Sequence, residues 1–329
     1  MKKWKLLGGL FLIFLYALAI TGCNSKKEEL PPEEVEEVVE EEPKYIVGFS
    51  GIDMENPYFI TLEGAVRESL EKEGHTLITK DPGTDPDLQI AQIREMIDEG
   101  IDALILTPVD WEKIIPILKV LNDSRIKIIN VDAQVKDLEY VNAYIGSDKY
   151  SAGYICGQDL VAKCPDGGKI IVLECPTQNS INERITGFEQ ALMDEEYAYE
   201  IVGRADTGGE FEKALDATIS LLEEYPDAVA IMCGNDQLAV GAKTAVNVAG
   251  IDDILIYGVD GSPDIKKELV RDDNQIAGTA AQSPLNMGYK AVEITLQVLR
   301  GENYPKESFE EVFMINQDNV LEYGIDGWQ

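Results

Sequence analysis

The sequence is short of basic residues and has a single histidine. Lys and Arg number 28 against 61 Asp and Glu, which gives a formal net charge of −33 at pH 7. Nucleic-acid binding needs a basic face, so we expect no nucleic-acid partner. The histidine, His75, follows the first predicted helix, away from the polar motifs described below, and we expect it at the surface. A Ser-His-Asp catalytic arrangement is therefore excluded.

Cysteine is equally sparse, at five in 329 residues. No spacing resembles that of a zinc site, and no phosphate loop or dinucleotide fingerprint is present, so we expect neither a metal nor a cofactor. Cys156 and Cys164 fall on one predicted helix, about 12 Å apart and too far for a bridge. Cys175 and Cys233 lie near strand ends. Buried free thiols are the main interpretation, and one disulfide among these four stays open.

The apolar run at the N-terminus, Leu6–Ile20, follows a basic start and is short for a membrane span. It ends in Ile20-Thr-Gly-Cys23, which resembles the lipobox of bacterial lipoproteins. That resemblance implies cleavage before Cys23 and lipid attachment to it. We therefore assign residues 1–22 to a signal peptide and expect an extracytoplasmic protein anchored by lipid to the cell membrane. The alternative is an uncleaved membrane anchor.

An acidic segment follows the cysteine. Residues 24–43 are rich in glutamate, contain two adjacent prolines and have little to bury. Such a segment is disordered and extended by its own charge. Residues 23–43 are therefore predicted to be the lipidated cysteine and a tether.

From Tyr45 onward, strands and helices alternate. Tyr45–Ser50 is typical of a buried parallel strand, and after a polar loop the apolar residues recur at helical spacing until Gly74. Similar units repeat to the last predicted strand, Glu310–Ile315. This alternation predicts an α/β fold with parallel sheets, and the number of units favours two doubly wound lobes.

Certain polar residues come just past the carboxyl ends of the predicted strands, where ligands bind in open parallel sheets. They are Asn56, Asp132, Arg184, Asn235, Asp260 and Gln282, with the aromatic rings of Tyr58 and Phe59 nearby. Directional donors and acceptors beside flat apolar faces suit a sugar. Taken singly, an Asp after a strand more often caps the next helix.

Six sequence motifs follow one another along the chain. They are Asn56-Pro-Tyr-Phe59, Val131-Asp132, Glu183-Arg-Ile-Thr-Gly-Phe188, Cys233-Gly-Asn-Asp-Gln-Leu-Ala-Val-Gly-Ala242, Gly258-Val-Asp-Gly-Ser-Pro-Asp264 and Thr279-Ala-Ala-Gln282. Together they resemble the ribose-binding and galactose-binding proteins, the type I periplasmic receptors of ABC importers. The resemblance implies two lobes joined by three crossover strands, namely residues 44–147 plus 283–308 and residues 148–282 plus 309–329.

The same resemblance implies roles for the polar set. Asn56, Asp132, Arg184, Asn235, Asp260 and Gln282 would hydrogen-bond ligand hydroxyls, and Tyr58 and Phe59 would hold the sugar ring. The lobes would close around the ligand.

Three departures from the family pattern bear on the ligand. Ala133 stands where ribose-binding proteins have an arginine, and the loop Gly51–Glu55 is longer. Where the family has an aromatic residue from the second lobe, this chain has Thr207, Gly209 or Phe211. We expect space beside Asp132 that admits a hexose or polyol, and poorer recognition of ribose.

Other functions are weaker fits. A glycosidase needs two carboxyls flanking one bond, about 5–10 Å apart, whereas Asp132 and Asp260 would belong to different lobes. A repressor would carry a basic helix-turn-helix before Tyr45. We therefore expect no enzyme but a monomeric solute-binding protein that captures a monosaccharide-like ligand for an ABC permease. The alternative is a subunit that presents a sugar-like signal to a chemotaxis receptor or sensor kinase.

Overall fold

Strands and helices alternate along almost the whole of the chain that the structure describes. The structure is a computed structural model and describes residues 43–195, 199–271 and 275–329; Cys23, the signal peptide and all but the last residue of the tether lie outside these ranges. The strands are Ile46–Ser50 (β1), Thr76–Lys80 (β2), Ala103–Leu106 (β3), Lys127–Val131 (β4), Ala143–Ser147 (β5), Gly168–Glu174 (β6), Tyr199–Asp206 (β7), Ala228–Cys233 (β8), Leu255–Asp260 (β9), Ile276–Ala281 (β10), Glu307–Glu310 (β11) and Phe313–Ile315 (β12). The helices are Pro57–Lys72 (α1), Pro86–Glu99 (α2), Ile115–Asp123 (α3), Lys149–Lys163 (α4), Asn179–Met193 (α5), Phe211–Glu224 (α6), Asp236–Ala249 (α7), Pro263–Leu269 (α8) and Pro284–Arg300 (α9).

The strands form two six-stranded sheets. The first has the order β11-β5-β4-β3-β1-β2 and the second β12-β10-β9-β8-β6-β7. Every pairing is parallel except that of β12 with β10. This arrangement confirms the predicted α/β class with two lobes. We call the first sheet with α1, α2, α3 and α9 the first lobe, and the second sheet with α4–α8 the second lobe.

Each sheet is buried on both faces. In β3, Ala103 and Ile105 contribute to one apolar core and Leu104 and Leu106 to another. Successive side chains of a strand point to opposite faces, so a continuous apolar run fits a sheet with helices on both sides. The central strands of the second lobe divide between two cores in the same way. Such sheets leave the carboxyl ends of their strands as the exposed edge for function.

The chain passes between the two sheets at three places. β5 of the first sheet leads into α4 of the second lobe, β10 leads back into α9, and β11 of the first sheet precedes β12 of the second. Side chains from the first two crossings are hydrogen-bonded to each other, Ser147 Oγ donating to Gln282 Oε1 over 2.6 Å. The predicted lobe boundaries stay a prediction.

Local sequence accounts for where four of the helices beside the site begin. Each has an Asn or Ser whose side chain accepts a hydrogen bond from a free amide of the first turn, and several have proline at the first helical position, where its missing amide costs nothing. These starts are Asn56-Pro57 (α1), Asn235 (α7), Ser262-Pro263 (α8) and Ser283-Pro284 (α9).

Two sequence predictions were wrong. His75 is buried, 6% exposed, because its Nδ1 accepts a hydrogen bond from the Tyr45 amide and its ring packs 5.3 Å from the Tyr45 ring. The single strand predicted at Glu310–Ile315 is two strands, β11 and β12, that belong to different sheets. Glu310, the first residue of the predicted strand, ends β11, and Phe313–Ile315 form β12; hydrogen-bond partners that are distant in sequence divide them.

Candidate ligand-binding site

A small cavity lies at the carboxyl ends of strands from both lobes. Most of the polar and aromatic residues predicted from the sequence line it, whereas Gln282 does not. The lining residues are Ile52, Asp53, Asn56, Tyr58, Phe59, Thr84, Asp132, Gln178, Ser180, Arg184, Gly208, Gly209, Asn235 and Asp260. The cavity therefore draws groups from two sheets whose strands end facing each other.

The start of α1 supplies the aromatic wall. The side-chain oxygen of Asn56 accepts from the Tyr58 amide, so Asn56 is a helix cap as well as a lining residue. Tyr58 and Phe59 meet edge to face, with ring centroids 5.3 Å apart. The ring of Trp328 packs on Tyr58 from another side, at 5.7 Å. This packing fixes the Tyr58 ring before any ligand arrives.

Asp132 is the carboxylate of the first lobe. It follows β4 with a φ of +63°, a conformation that non-glycine residues rarely adopt outside functional sites. Its Oδ1 contacts the ammonium of Lys149, and the Tyr58 hydroxyl lies 3.4 Å from the same oxygen. Burial acts to raise the pKa of Asp132, but the positive charges of Lys149 and Arg184 outweigh it and hold the pKa below its usual range. Asp132 is an ionised acceptor.

Arg184 and Asp260 form the charged wall of the second lobe. Arg184 lies in α5 and is 3% exposed; its Nη1 donates to the Gly234 carbonyl over 2.7 Å, and its Nη2 lies 3.4 Å from Asp260 Oδ1. Asp260 ends β9 with a φ of +143°, again in the region that favours glycine. Burial raises the pKa of Asp260 to about 7; Arg184 opposes this rise, and the nearby charges of Asp236 and Asp132 add to it.

Gln282 stands behind the cavity wall. Its Nε2 donates to Asp260 Oδ1 over 2.7 Å, while its Oε1 accepts from Ser147 and from Lys149. The side chain is almost completely buried. Of these three partners, Asp260 lines the cavity.

The sequence analysis missed several lining residues and one buried cation. Thr84, Gln178 and Ser180 line the cavity from loops or helix starts, and no motif singled them out. Lys149 was passed over because a lysine at a helix start is an ordinary surface residue, yet its side chain is 2% exposed. Ala133 is fully buried and does not line the cavity, so the expected space beside Asp132 does not arise from it.

Of the three candidate counterparts of the second-lobe aromatic, namely Thr207, Gly209 and Phe211, only Gly209 lines the cavity. Gly208 and Gly209 line the cavity, both with positive φ, whereas Thr207 is buried away from it. Phe211 lines a neighbouring, wider opening. A ring held in this cavity therefore meets aromatic side chains on the first-lobe side only.

That wider opening, which we call the acidic vestibule, shares residues with the cavity. Its lining includes five carboxylates and no basic side chain. The carboxylates are Asp53, Glu55, Asp81, Glu210 and Glu212. A negative approach of this kind disfavours an anionic ligand.

The described residues contain no group of His, Cys, Asp and Glu side chains that could hold a metal ion. Within the same ranges no helix is long and apolar enough to cross a membrane. Cys156, Cys164, Cys175 and Cys233 are all free thiols, which resolves the disulfide left open by their spacing.

Comparison with known proteins agrees with this geometry. A profile of the periplasmic binding protein domain matches residues 47–303. The ribose import binding protein RbsB of Escherichia coli (strain K12) is 31% identical over 252 residues, covering 76% of this chain and 83% of that protein. RbsB of Bacillus subtilis (strain 168) is 27% identical over 264 residues, covering 80% and 84%.

Solved structures give the same result. An ABC transporter solute binding protein from Mycobacterium smegmatis with bound glycerol has a TM-score of 0.81 at 26% identity, covering 87% of this chain and 98% of that one. The Caulobacter myo-inositol binding protein bound to myo-inositol has a TM-score of 0.79 at 21% identity, covering 87% and 97%, and shows a shared fold. The chain therefore belongs to the type I periplasmic sugar-binding family, the extracytoplasmic solute-binding proteins of ABC transporters.

Proposed function

We propose that this protein captures a monosaccharide or related polyol between its lobes and delivers it to an ABC permease. The observation that carries the proposal is the convergence of ionised and polar groups from both lobes on one cavity beside aromatic rings. Asp132 and Asp260 accept hydrogen bonds from hydroxyls, Arg184 donates to ring or hydroxyl oxygens, and Tyr58 and Phe59 contact the apolar face of the ring.

Arg184 offers a further argument. Its Nε is buried and has no hydrogen-bond partner among the described residues. Buried donors are almost always satisfied in proteins, and leaving one unpaired costs about 1–3 kcal/mol. A ligand oxygen beside Arg184 would remove that cost, which favours a small polar ligand at this wall.

The proposed capture requires the lobes to close. The contacts that join them include Thr84 Oγ1 to Glu210 Oε1 at 3.3 Å and the Trp111 amide to the Thr177 carbonyl at 3.1 Å. We take residues 44–147 plus 283–308 and residues 148–282 plus 309–329 as the bodies that move, with the three crossings as hinges.

A thermal-shift screen tests the capture. A ligand that binds only the folded protein raises its stability in proportion to the logarithm of its concentration above Kd. D-ribose, D-allose, D-galactose, D-glucose, myo-inositol and glycerol form the panel, with glucose 6-phosphate as an anionic control. We expect at least one neutral member to raise Tm and the phosphate not to. No shift with any neutral sugar or polyol contradicts the proposal.

Membrane attachment through Cys23 is the second part of the proposal, and it rests on the sequence alone. Cys23→Ala should release the protein into a soluble fraction or leave an uncleaved precursor, because the lipid would have no thiol to join. Cell fractionation and the mass of the mature chain measure this. Unchanged attachment and processing would contradict the anchor.

The sensor alternative is not favoured, since the curated relatives described above are named import binding proteins.

A further inference from the structure

Lys149 is a buried cation behind the cavity wall. It is the first residue of α4, directly after the crossing from β5, and its side chain is 2% exposed. The cap of this helix is Asp148, which accepts from the Ser151 amide. A positive charge at a helix start opposes the helix dipole, and a buried ammonium loses its hydration. Lys149 therefore carries two unfavourable terms that only its contacts offset.

Those contacts lead to both ligand-facing carboxylates. The ammonium touches Oδ1 of Asp132 in one direction and donates to Oε1 of Gln282, at 2.7 Å, in the other. Since Oε1 of Gln282 also accepts from Ser147, the amide group can only be oriented with Nε2 toward Asp260. One ammonium thus orients Asp132 directly and Asp260 through Gln282.

Each carboxylate at the inner end of the cavity then has a cationic partner. Asp132 contacts Lys149, and Asp260 lies 3.4 Å from Arg184. Asp236 is held by the Ser262 amide and the Thr279 hydroxyl and does not line the cavity. A carboxylate that is already paired with a fixed cation gains little from a positive charge on the ligand, and the cation beside it gains little from a negative one.

We propose that Lys149 is a positioning and specificity-determining residue that presents Asp132 and Asp260 as oriented acceptors and restricts the site to uncharged ligands. This inference rests on the proposed function and deepens it. With Oδ1 of Asp132 occupied by Lys149, the ligand meets the other oxygen. Removing the ammonium leaves Asp132 as an unpaired negative charge, which would attract a cationic ligand.

Calorimetric titration with matched probes tests the inference. The probes are D-galactose and D-glucose, each with its 2-amino derivative and its uronate. Wild-type protein should bind a neutral sugar more tightly than the corresponding amine or acid. Lys149→Gln keeps a hydrogen-bond donor and removes the charge, and it should weaken binding of the neutral sugar about 10-fold or more. The affinity ratio of amino sugar to neutral sugar should rise. Lys149→Arg should keep the neutral preference.

The control is Lys243→Gln, the same change at a buried lysine of α7 whose Nζ contacts Gln275 instead of the cavity. It should leave the affinity ratio unchanged. A folded Lys149→Gln protein with wild-type affinity and an unchanged ratio would overturn the inference. So would wild-type protein that binds an amine or uronate as tightly as its neutral parent, a comparison that stands even where the variant does not fold. Failure of the proposed function is a separate result, namely a thermal-shift screen in which no neutral sugar or polyol binds wild-type protein.

Discussion

Asp132 and Asp260 are equivalent in chemistry, yet their surroundings move their pKa values in opposite directions. Lys149 and Arg184 overcome the burial of Asp132, whereas burial and neighbouring carboxylates raise the pKa of Asp260 to about 7. In ligand-free protein near neutral pH, Asp260 is therefore partly protonated, whereas Asp132 stays ionised. A ligand hydroxyl that donates to Asp260 favours the ionised form and would release that proton.

This difference predicts how stability varies with pH. A carboxyl whose pKa is raised on folding holds a proton that the unfolded chain has already lost, so its contribution is full below about pH 4 and is lost as pH rises through about 7. Asp236, whose pKa burial also raises, acts in the same direction. The free energy of unfolding of ligand-free protein should fall from pH 5 to 8, with at most about 1.4 kcal/mol per pH unit from Asp260.

Denaturant unfolding at several pH values measures that slope. Asp260→Asn should make it shallower, because the titrating group is gone. The control is Asp264→Asn, the same change at an exposed acid of α8, which should keep the wild-type slope. Equal slopes for wild type and Asp260→Asn would refute the assignment.

At the scale of elements, the C-terminal segment Gly327–Gln329 supports the site from behind. Gln329 Nε2 donates to the carbonyls of Asp260 and Gln282, at 3.0 and 2.7 Å, and Trp328 packs on Tyr58. The segment thus links both sides of the cavity wall, although no residue in it lines the cavity.

Trp328→Ala should therefore weaken ligand binding as well as the fold. Loss of its buried ring surface should cost about 1–3 kcal/mol of unfolding free energy, and a less constrained Tyr58 should reduce ligand affinity. Leu321→Ala is the control, since Leu321 is 77% exposed in the preceding turn. Calorimetry together with thermal unfolding measures both effects. Full affinity in the Trp328 variant would separate this segment from the site.

Local sequence predicted the elements where local interactions decide them. The helical spacing of apolar residues and the stop at Gly74 located α1, because periodicity and chain-breaking residues act within a few positions. The polar residues after the strands were found because each follows its strand in the sequence. The division between β11 and β12 was not predictable, since it depends on partners distant in sequence.

The candidate site was predictable in part, and the limit is physical. A motif identifies a residue at a strand end, as for Asp132 and Asp260, but it does not say which side chains stand behind it. The burial of Lys149 and of Gln282 results from two crossing segments meeting, 133 residues apart in the chain. Contacts of that range leave no periodicity or spacing in the sequence.

At the scale of the whole molecule, closure should be visible in solution. The contacts from Thr84 to Glu210 and from Trp111 to Thr177 join the lobes in this arrangement. We expect small-angle scattering to give a larger radius of gyration for ligand-free protein than for protein saturated with its sugar. The curve of the saturated protein should fit this structure. The control is Arg184→Ala at the same sugar concentration, which lies below the Kd of this variant. Its radius of gyration should stay at the ligand-free value. Identical curves with and without ligand would argue against closure.

The central claim is that the charged groups of the cavity hold a neutral sugar or polyol. Calorimetric titration with the ligand chosen by the thermal-shift screen tests it most directly, in wild type and Arg184→Ala. The control is Arg204→Ala, because Arg204 pairs with Glu174 and Glu189 on the second lobe outside the cavity. We predict that Arg184→Ala weakens binding about 10- to 150-fold, while the control stays near wild type. Arg184→Ala protein that is folded and binds with wild-type affinity would contradict the account.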